Sequence, residues 1–448
     1  MKMTTNSSRR LVPAGACLAL ATLLAAASAA AADWPGWRGP AGNAVSPDVP
    51  AAMPPKRVLW TQSMSGECHA GVAAAEGSVV VADHGAGKDH WRCYDAADGK
   101  VRWTYAYDNT EEMDYGAAPR ATPLIHQGRV FCLNAWGDLY ALDLKTGRLL
   151  WQKSFAKDFG SGDPPMWGFC SSPLIAAGKV VVNPGGADGG LVALEPDSGN
   201  VAWSARTSEA NYSSFIVATL GGVEQVVGYD VVSLGGWDAK TGKRLWLIEA
   251  ESSGGYIVPT PVAAAGKLIV TDSEAYTRAF AFDDQGRIKP EAEAYNEDLY
   301  PEMSTPTVLG DTLVGASEGL VCLDLKDALK TLWLYEDDDS VFGIVHTVAS
   351  KDRLLAFCDD GVLLLIAADK TACRVLGREK LCDQTWSHPA LTSGRLYVRD
   401  KANLYCFDLG AAGAPAEAAA EAADAEASAA PEDEDAPAAE AADSEPSP

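Results

Sequence analysis

Apolar and polar positions alternate along residues 58–410 in a fixed order that repeats. Each unit opens on a short apolar strand, entered through Pro123, Pro173, Pro261, Pro306 or Pro389, or through proline-free equivalents near Val72, Phe215 and Val348. A Gly-Lys, Gly-Arg or Gly-Asp turn follows, then a Val/Leu-rich strand, a Gly/Asp/Asn turn, and a strand ending in an acidic residue. A glycine stands four positions after that acid and a tryptophan four beyond, as in ALDLKTGRLLW from Ala141 to Trp151. The same beat gives Asp95, Gly99 and Trp103; Asp143, Gly147 and Trp151; Glu195, Gly199 and Trp203; Asp238, Gly242 and Trp246; and, more loosely, Asp324 and Trp333. Period-2 apolar runs of this length bounded by such turns predict strands, about four per unit.

Each repeated residue has a physical reason. The carboxylate can accept the N–H groups of the turn it precedes, and the glycine supplies a left-handed backbone at low steric cost. The large indole packs one sheet against its neighbour. Asp138, Gly190, Gly319 and Asn403 stand where a tight hairpin between the second and third strands needs positive φ. Cys93, Cys322 and Cys406, two before the acid, occupy positions filled elsewhere by alanine and read as small core residues. The last unit stops at Leu409 without its tryptophan, while Val58-Leu59-Trp60 precedes the first unit without an acid. Joined, the two fragments complete one sheet. The expected fold is all-β: an eight-bladed β-propeller of four-stranded antiparallel blades, spanning 58–410 as one domain and closed by an N-terminal strand that completes the last blade.

The ends differ from this body. Residues 1–32 carry Lys2, Arg9 and Arg10 before an apolar run and an alanine-rich close, the pattern of an export signal, with Arg9-Arg10 also permitting twin-arginine export. Residues 33–57 form an extension expected to pack on the ring through Trp34, Trp37 and Arg38. Residues 411–448 hold eleven acidic side chains and no basic one, and are expected to be a disordered acidic tail. No stretch after the signal is long and apolar enough for a membrane span. A formal net charge of −25 makes nucleic acid a poor partner. The mature protein is expected to be a periplasmic or secreted monomer. Among the cysteines beyond the signal, Cys373 and Cys382 are candidates for a disulfide.

The tryptophan-bearing repeat resembles that of the quinoprotein dehydrogenases and their non-catalytic relatives, including the outer-membrane assembly factor BamB. The resemblance covers nearly the whole mature chain and implies the PQQ-like eight-bladed propeller. An active member would be expected to carry pyrroloquinoline quinone (PQQ) with calcium, an adjacent cysteine pair, a catalytic aspartate and a longer chain. No Cys-Cys dipeptide is present. No catalytic residue or metal ligand is therefore assigned and no cofactor is predicted, PQQ with calcium being what the enzyme resemblance alone would bring. The expected function is an exported, non-catalytic binding or scaffold protein of the cell envelope that takes a protein, peptide or small molecule on one face. The alternative is a PQQ-dependent oxidoreductase of an alcohol or sugar.

In a propeller, recognition belongs to the loops joining the outer strand of one blade to the inner strand of the next. Here these loops are long and rich in aromatics and carboxylates: Gln62 to Gly71, Thr104 to Pro123, Gln152 to Pro173 and Lys289 to Pro306. Aligning the inner strands places His69, Arg120, Ser171, Tyr212, Thr260, Ser304, His346 and His388 around the channel mouth, with Trp386 beside them. This ring is the candidate ligand site; its members could instead satisfy strand-end backbone groups. His69, His346 and His388 have no local spacing that suits a metal, and the acidic runs at Glu111, Glu112 and Asp114 and at Asp337 to Asp339 do not match a calcium loop.

Overall fold

On the second strand of the first repeat, Val79 and Val81 point into one apolar layer while Val80 and Ala82 point into another, and all four are fully buried. Alternation sends side chains to opposite faces, and here both faces are covered because each sheet is stacked between two others. Residues 33–250 and 256–410 are described in the computed structural model. The expected export signal and acidic tail lie outside the described residues. Eight four-stranded antiparallel sheets follow one another in chain order. Blade 1 runs from Ala73–Ala75 to Val101–Asp108, and blade 2 from Leu124–His126 to Leu149–Ser154. Blades 3 to 7 begin at Leu174–Ala176, Ile216–Leu220, Val262–Ala264, Thr307–Leu309 and Val345–Ala349. Blade 8 contributes only three strands, and Val58–Ser63 pairs antiparallel with its Asn403–Asp408 as the fourth, with Thr61 opposite Tyr405. The ring therefore closes with all eight blades four-stranded, the chain's two ends meeting in one sheet. Among the described residues no helix is long and apolar enough to cross a membrane.

The repeat acts within and between blades. Asp143 accepts the N–H groups of Lys145 (3.2 Å) and Thr146 (2.9 Å) and the Thr146 hydroxyl (2.7 Å), and Asp238 repeats the pattern on Lys240 and Thr241. The threonine hydroxyl, more than any other group, holds each of these two carboxyls below the usual carboxylate range. Glu195, one methylene longer, reaches Lys179 at 2.8 Å instead. Four of the tryptophans then lie on the turn glycine of the next blade. Trp60, Trp103, Trp151 and Trp203 cover Gly99, Gly147, Gly199 and Gly242, where an added Cβ would come within 2.4–2.8 Å of the indole. Their indole N–H groups donate to the carbonyls of Ala96, Leu144, Pro196 and Ala239. Opposite each indole in its own sheet stands a small residue, Cys93, Ala141, Ala193, Gly236 or Cys322, and the register shifts by a bulge immediately after it.

Two expectations are corrected. Of the four hairpin positions, only Gly319 has positive φ (102°); in blade 2 the left-handed residue is Gly137 (89°), one before Asp138. All nine cysteines among the described residues are free. Cys373 packs in the layer shared with Cys322, whereas Cys382 belongs to the layer on the other side of blade 7, so the sheet separates them.

The extension from residue 33 crosses the end of the ring opposite the channel mouth. Trp34 exchanges backbone bonds with Ala74 of blade 1, and Pro35 accepts from Ile125 of blade 2. Ala44 and Ser46 bond Ala349 of blade 7, and Asp48 accepts the N–H of Ser393 in blade 8 at 2.8 Å. Between these anchors Trp37 and Arg38 rise into the channel.

Candidate functional site

The inner strands begin at the channel mouth, and a circle of hydrogen bonds stitches their first residues together, one bond at each of the eight junctions. Cys68 donates to Pro119 O (3.1 Å), Thr122 N–H to Ser172 Oγ (3.0 Å), and Ser172 N–H to Ser214 Oγ (3.0 Å). Ser213 Oγ donates to Pro259 O, Thr260 N–H to Thr305 Oγ1, and Val345 N–H to Ser304 Oγ. His346 Nε2–H donates to Trp386 O at 2.8 Å, and Ser387 Oγ to Cys68 O at 3.0 Å. Hydroxyls are suited to this work because strand ends leave orphan N–H and C=O groups in a buried place.

Inside the circle lies an aromatic cup of about 240 Å³. Its floor is Trp37, whose indole N–H donates to Thr260 Oγ1 at 3.1 Å. Its wall is a chain of touching rings: His69 stacks on Trp386 (4.8 Å between centroids), Trp386 meets Tyr115 (5.4 Å), Tyr115 meets Trp167 (6.5 Å), and Trp167 packs against Tyr212 (5.2 Å) and Tyr256 (5.1 Å). Two charged side chains face the cup. Arg120 spends donors on the carbonyls of Ala118 (3.0 Å), Asp114 (2.6 Å) and Gly116 (2.8 Å), bracing the loop that carries Tyr115. Glu302 accepts the phenol of Tyr256, which that bond pushes up to about 12.

Of the residues placed at the mouth from the sequence, His69, Arg120, Tyr212, His346 and Trp386 line this cup. Ser171, Ser304, Thr260 and His388 are not among its lining residues. Ser171 is buried beside the wall and its neighbour Ser172 faces the cup instead. Ser304 and Thr260 serve the circle of junction bonds. His388 lies beneath the floor, 5.9 Å from Trp34, 5.0 Å from Trp37 and 4.9 Å from His346, and donates from Nδ1 to Pro389 O at 2.7 Å. Sequence reasoning missed Trp37 as a floor and Tyr115, Trp167, Tyr256 and Glu302 as wall. The available signal was the aromatic content of the loops after each outer strand.

The electrostatics disfavour nucleophilic chemistry. Burial pushes the Cys170 thiol up to about 12, so it stays protonated. Burial holds His346 down to about 4 and His388 well below its ordinary value, and burial with the Arg120 guanidinium lowers His69. Beneath the floor, Arg38 is 2% exposed and bonds Thr305 O (2.9 Å), Pro306 O (2.8 Å) and Thr307 Oγ1 (2.9 Å), a structural clamp on blade 6. Among the described residues no group of three His, Cys, Asp or Glu side chains is arranged to hold a metal ion.

The chain matches the family described as outer membrane protein assembly factor BamB over residues 51–164 and 116–335, more than half its length. It is 22% identical over 293 residues to the outer membrane protein assembly factor BamB of Shewanella oneidensis, covering 63% of this chain and 72% of that one. It is 31% identical over 159 residues to quinohemoprotein alcohol dehydrogenase ADH-IIG of Pseudomonas putida, a match that spans 33% of this chain and only 21% of the enzyme. Among solved structures, BamB from Moraxella catarrhalis superposes with a TM-score of 0.54 at 17% identity, covering 79% of this chain and 97% of that one. Quinohemoprotein alcohol dehydrogenase from Comamonas testosteroni gives 0.60 at 13% identity, covering 85% and 81%. The eight blades, the tryptophan-on-glycine repeat and the match across more than half the sequence together establish that the chain belongs to the BamB family of PQQ-like β-propellers.

Proposed function

We propose that this protein is an exported, non-catalytic propeller of the cell envelope that binds a protein or peptide through its loop face, with the aromatic cup receiving an aromatic or apolar group of the ligand. The observation that carries the reading is the open cup itself: a wall of touching aromatic rings, a tryptophan floor, and a mostly apolar lining that two charged side chains face. Such pockets gain affinity from desolvated aromatic contact and orient the ligand with a small number of polar groups. The geometry that covalent catalysis needs, a nucleophile beside a base, has no counterpart among the lining residues, where the thiol is protonated and His69 and His346 donate to carbonyls.

N-Acetyl-tryptophanamide and 4-ethylphenol are suitable probes. Both are expected to bind saturably in ligand-observed NMR titrations, and Trp386→Ala to weaken them about tenfold, the loss of one stacking platform worth about 1.4 kcal/mol. Absence of saturable binding by either probe to the wild-type protein would remove the cup from consideration.

The similarity to quinohemoprotein alcohol dehydrogenases favours a second reading, in which a quinone with calcium supplies redox chemistry. The donor set does not fit that pair. Calcium takes six to eight oxygen ligands, and Glu302 is the single carboxylate lining the cup, already held by Tyr256. Incubation with PQQ and calcium followed by gel filtration is expected to leave no quinone absorbance with the protein; a retained chromophore with dye-linked alcohol oxidation would establish the enzyme reading instead.

A further inference from the structure

We infer that the occupant of the loop face is an extended polypeptide segment in which an aromatic side chain, seated in the cup, lies between basic residues. This rests on the reading of the cup as a ligand site and adds the chemistry of what flanks the anchor. Two further depressions adjoin the cup, one on each side of the loop that carries Tyr115. The first, about 500 Å³, shares His69, Tyr115 and Trp386 with the cup and continues to Glu67, Asp383 and Lys401. Its one lysine is committed to Glu67 at 3.5 Å, which leaves the exposed Asp383 to set the sign of the surface there. The second, about 450 Å³, holds Glu112 and Asp114 with Trp136 and Met166, and no basic side chain. Asp114 and Met166 directly precede Tyr115 and Trp167 of the cup wall, which places this depression beside the rim.

The order along the face is thus carboxylate, aromatic cup, carboxylate. A compact ligand would fill the cup and leave both flanking depressions unused, whereas an extended chain places neighbouring side chains about 3.3 Å per residue apart and can occupy all three. The rim is also apolar where it is most exposed: Met166 is 69% and Tyr115 62% exposed. Methionine adapts its shape to varied side chains, and tyrosine offers a rigid contact surface at low entropic cost. Cations approaching this face meet a chain of net charge −25, so charge complementarity favours lysine and arginine on either side of the anchor.

The test is fluorescence anisotropy on the mature protein with four labelled heptapeptides: phenylalanine between lysines, between glutamates and between glycines, and alanine between lysines. The lysine-flanked phenylalanine peptide is expected to bind at least about tenfold more tightly than the glutamate-flanked one, and to weaken as salt rises from about 50 to 500 mM. The alanine peptide is expected to show no saturable binding. The triple variant Glu112→Gln, Asp114→Asn, Asp383→Asn should abolish most of the preference for lysine while leaving a glycine-flanked phenylalanine peptide unchanged. Equal binding of the lysine-flanked and glutamate-flanked phenylalanine peptides, or preference for glutamate, overturns the basic-flank inference but leaves the cup intact. Loss of all aromatic-peptide binding, with Trp386→Ala indistinguishable from wild type, instead overturns the reading of the cup on which it rests.

Discussion

Replacing Trp103 by alanine is expected to lower the unfolding free energy by about 3–5 kcal/mol and the thermal midpoint by roughly 5–10 °C. The residue is 7% exposed and performs three tasks at once. Its ring covers Gly147 of blade 2, so closely that a Cβ there would stand 2.6 Å from the indole. Its N–H donates to Leu144 O at 2.8 Å. In its own sheet it stands opposite Cys93, beside a bulge that turns the outer strand. Alanine removes the contact across the blade junction and leaves a cavity between two rigid sheets that cannot close by moving one side chain. Trp103→Phe keeps one aromatic ring but loses the donor and part of the indole's bulk over Gly147, so a smaller loss of about 1–3 kcal/mol is expected. Gly147→Ala attacks the same junction from the other side, adding a methyl under the indole at a residue with φ of 70°. Urea unfolding followed by far-UV circular dichroism measures all three. A Trp103→Ala protein with the wild-type midpoint would show that the junction draws its stability from elsewhere.

The propeller was legible in the sequence because its signals are local. A carboxylate, the turn it caps and the tryptophan that follows are within eleven residues, and the strands between them alternate with period 2. The closing strand was legible as well, since a blade lacking its tryptophan and a tryptophan lacking its blade stand at opposite ends of the repeat. The cup was legible only in part, for two reasons. The first is the same alternation that makes strands recognisable: an error of one residue changes the face, which is why Ser172 and not Ser171 lines the cup. Gly137 and not Asp138 likewise carries the left-handed turn. The second is distance along the chain. Trp37 meets Thr260 across 223 positions, and Arg38 meets Pro306 across 268, contacts that no local pattern encodes. Trp246 shows a related limit. It keeps its place in the repeat, but the acid-glycine turn of blade 5, Asp283 to Gly286, is one residue shorter, and the indole donates to Gln225 Oε1 within its own blade at 2.6 Å while Gln225 Nε2 donates on to Gly286 O at 2.7 Å.

Acid is expected to loosen the ring in a window set by its buried histidines, before its carboxylates are reached. His346 joins blade 7 to blade 8 by donating Nε2–H to Trp386 O, and it faces the Arg38 guanidinium and the ring of His388. Burial holds it down to about 4 in the folded protein, against an ordinary 6.5. The unfolded chain therefore takes up a proton as pH falls below about 6.5, while the native chain refuses one until about 4. Stability is lost across that interval and is unaffected above it, and a difference of this size corresponds to about 3 kcal/mol at pH 4. His388, lowered well below its ordinary value by burial, with His346 and Arg38 beside it opposing a further charge, acts in the same direction. Asp143, Asp238 and Asp338 have lowered values, so their contribution persists to pH 4 and disappears only below it. Asp48 and Asp359, raised by burial, work in the opposite sense. The difference between wild type and His346→Gln at each pH isolates the histidine, because glutamine retains an N–H donor for Trp386 O and cannot titrate. Measured by urea unfolding between pH 7.5 and 4, that difference is expected to shift by about 3 kcal/mol in favour of the variant as pH falls. Parallel pH profiles for the two proteins would mean that His346 is protonated at no cost in the native ring, and that the junction between blades 7 and 8 opens to water in acid.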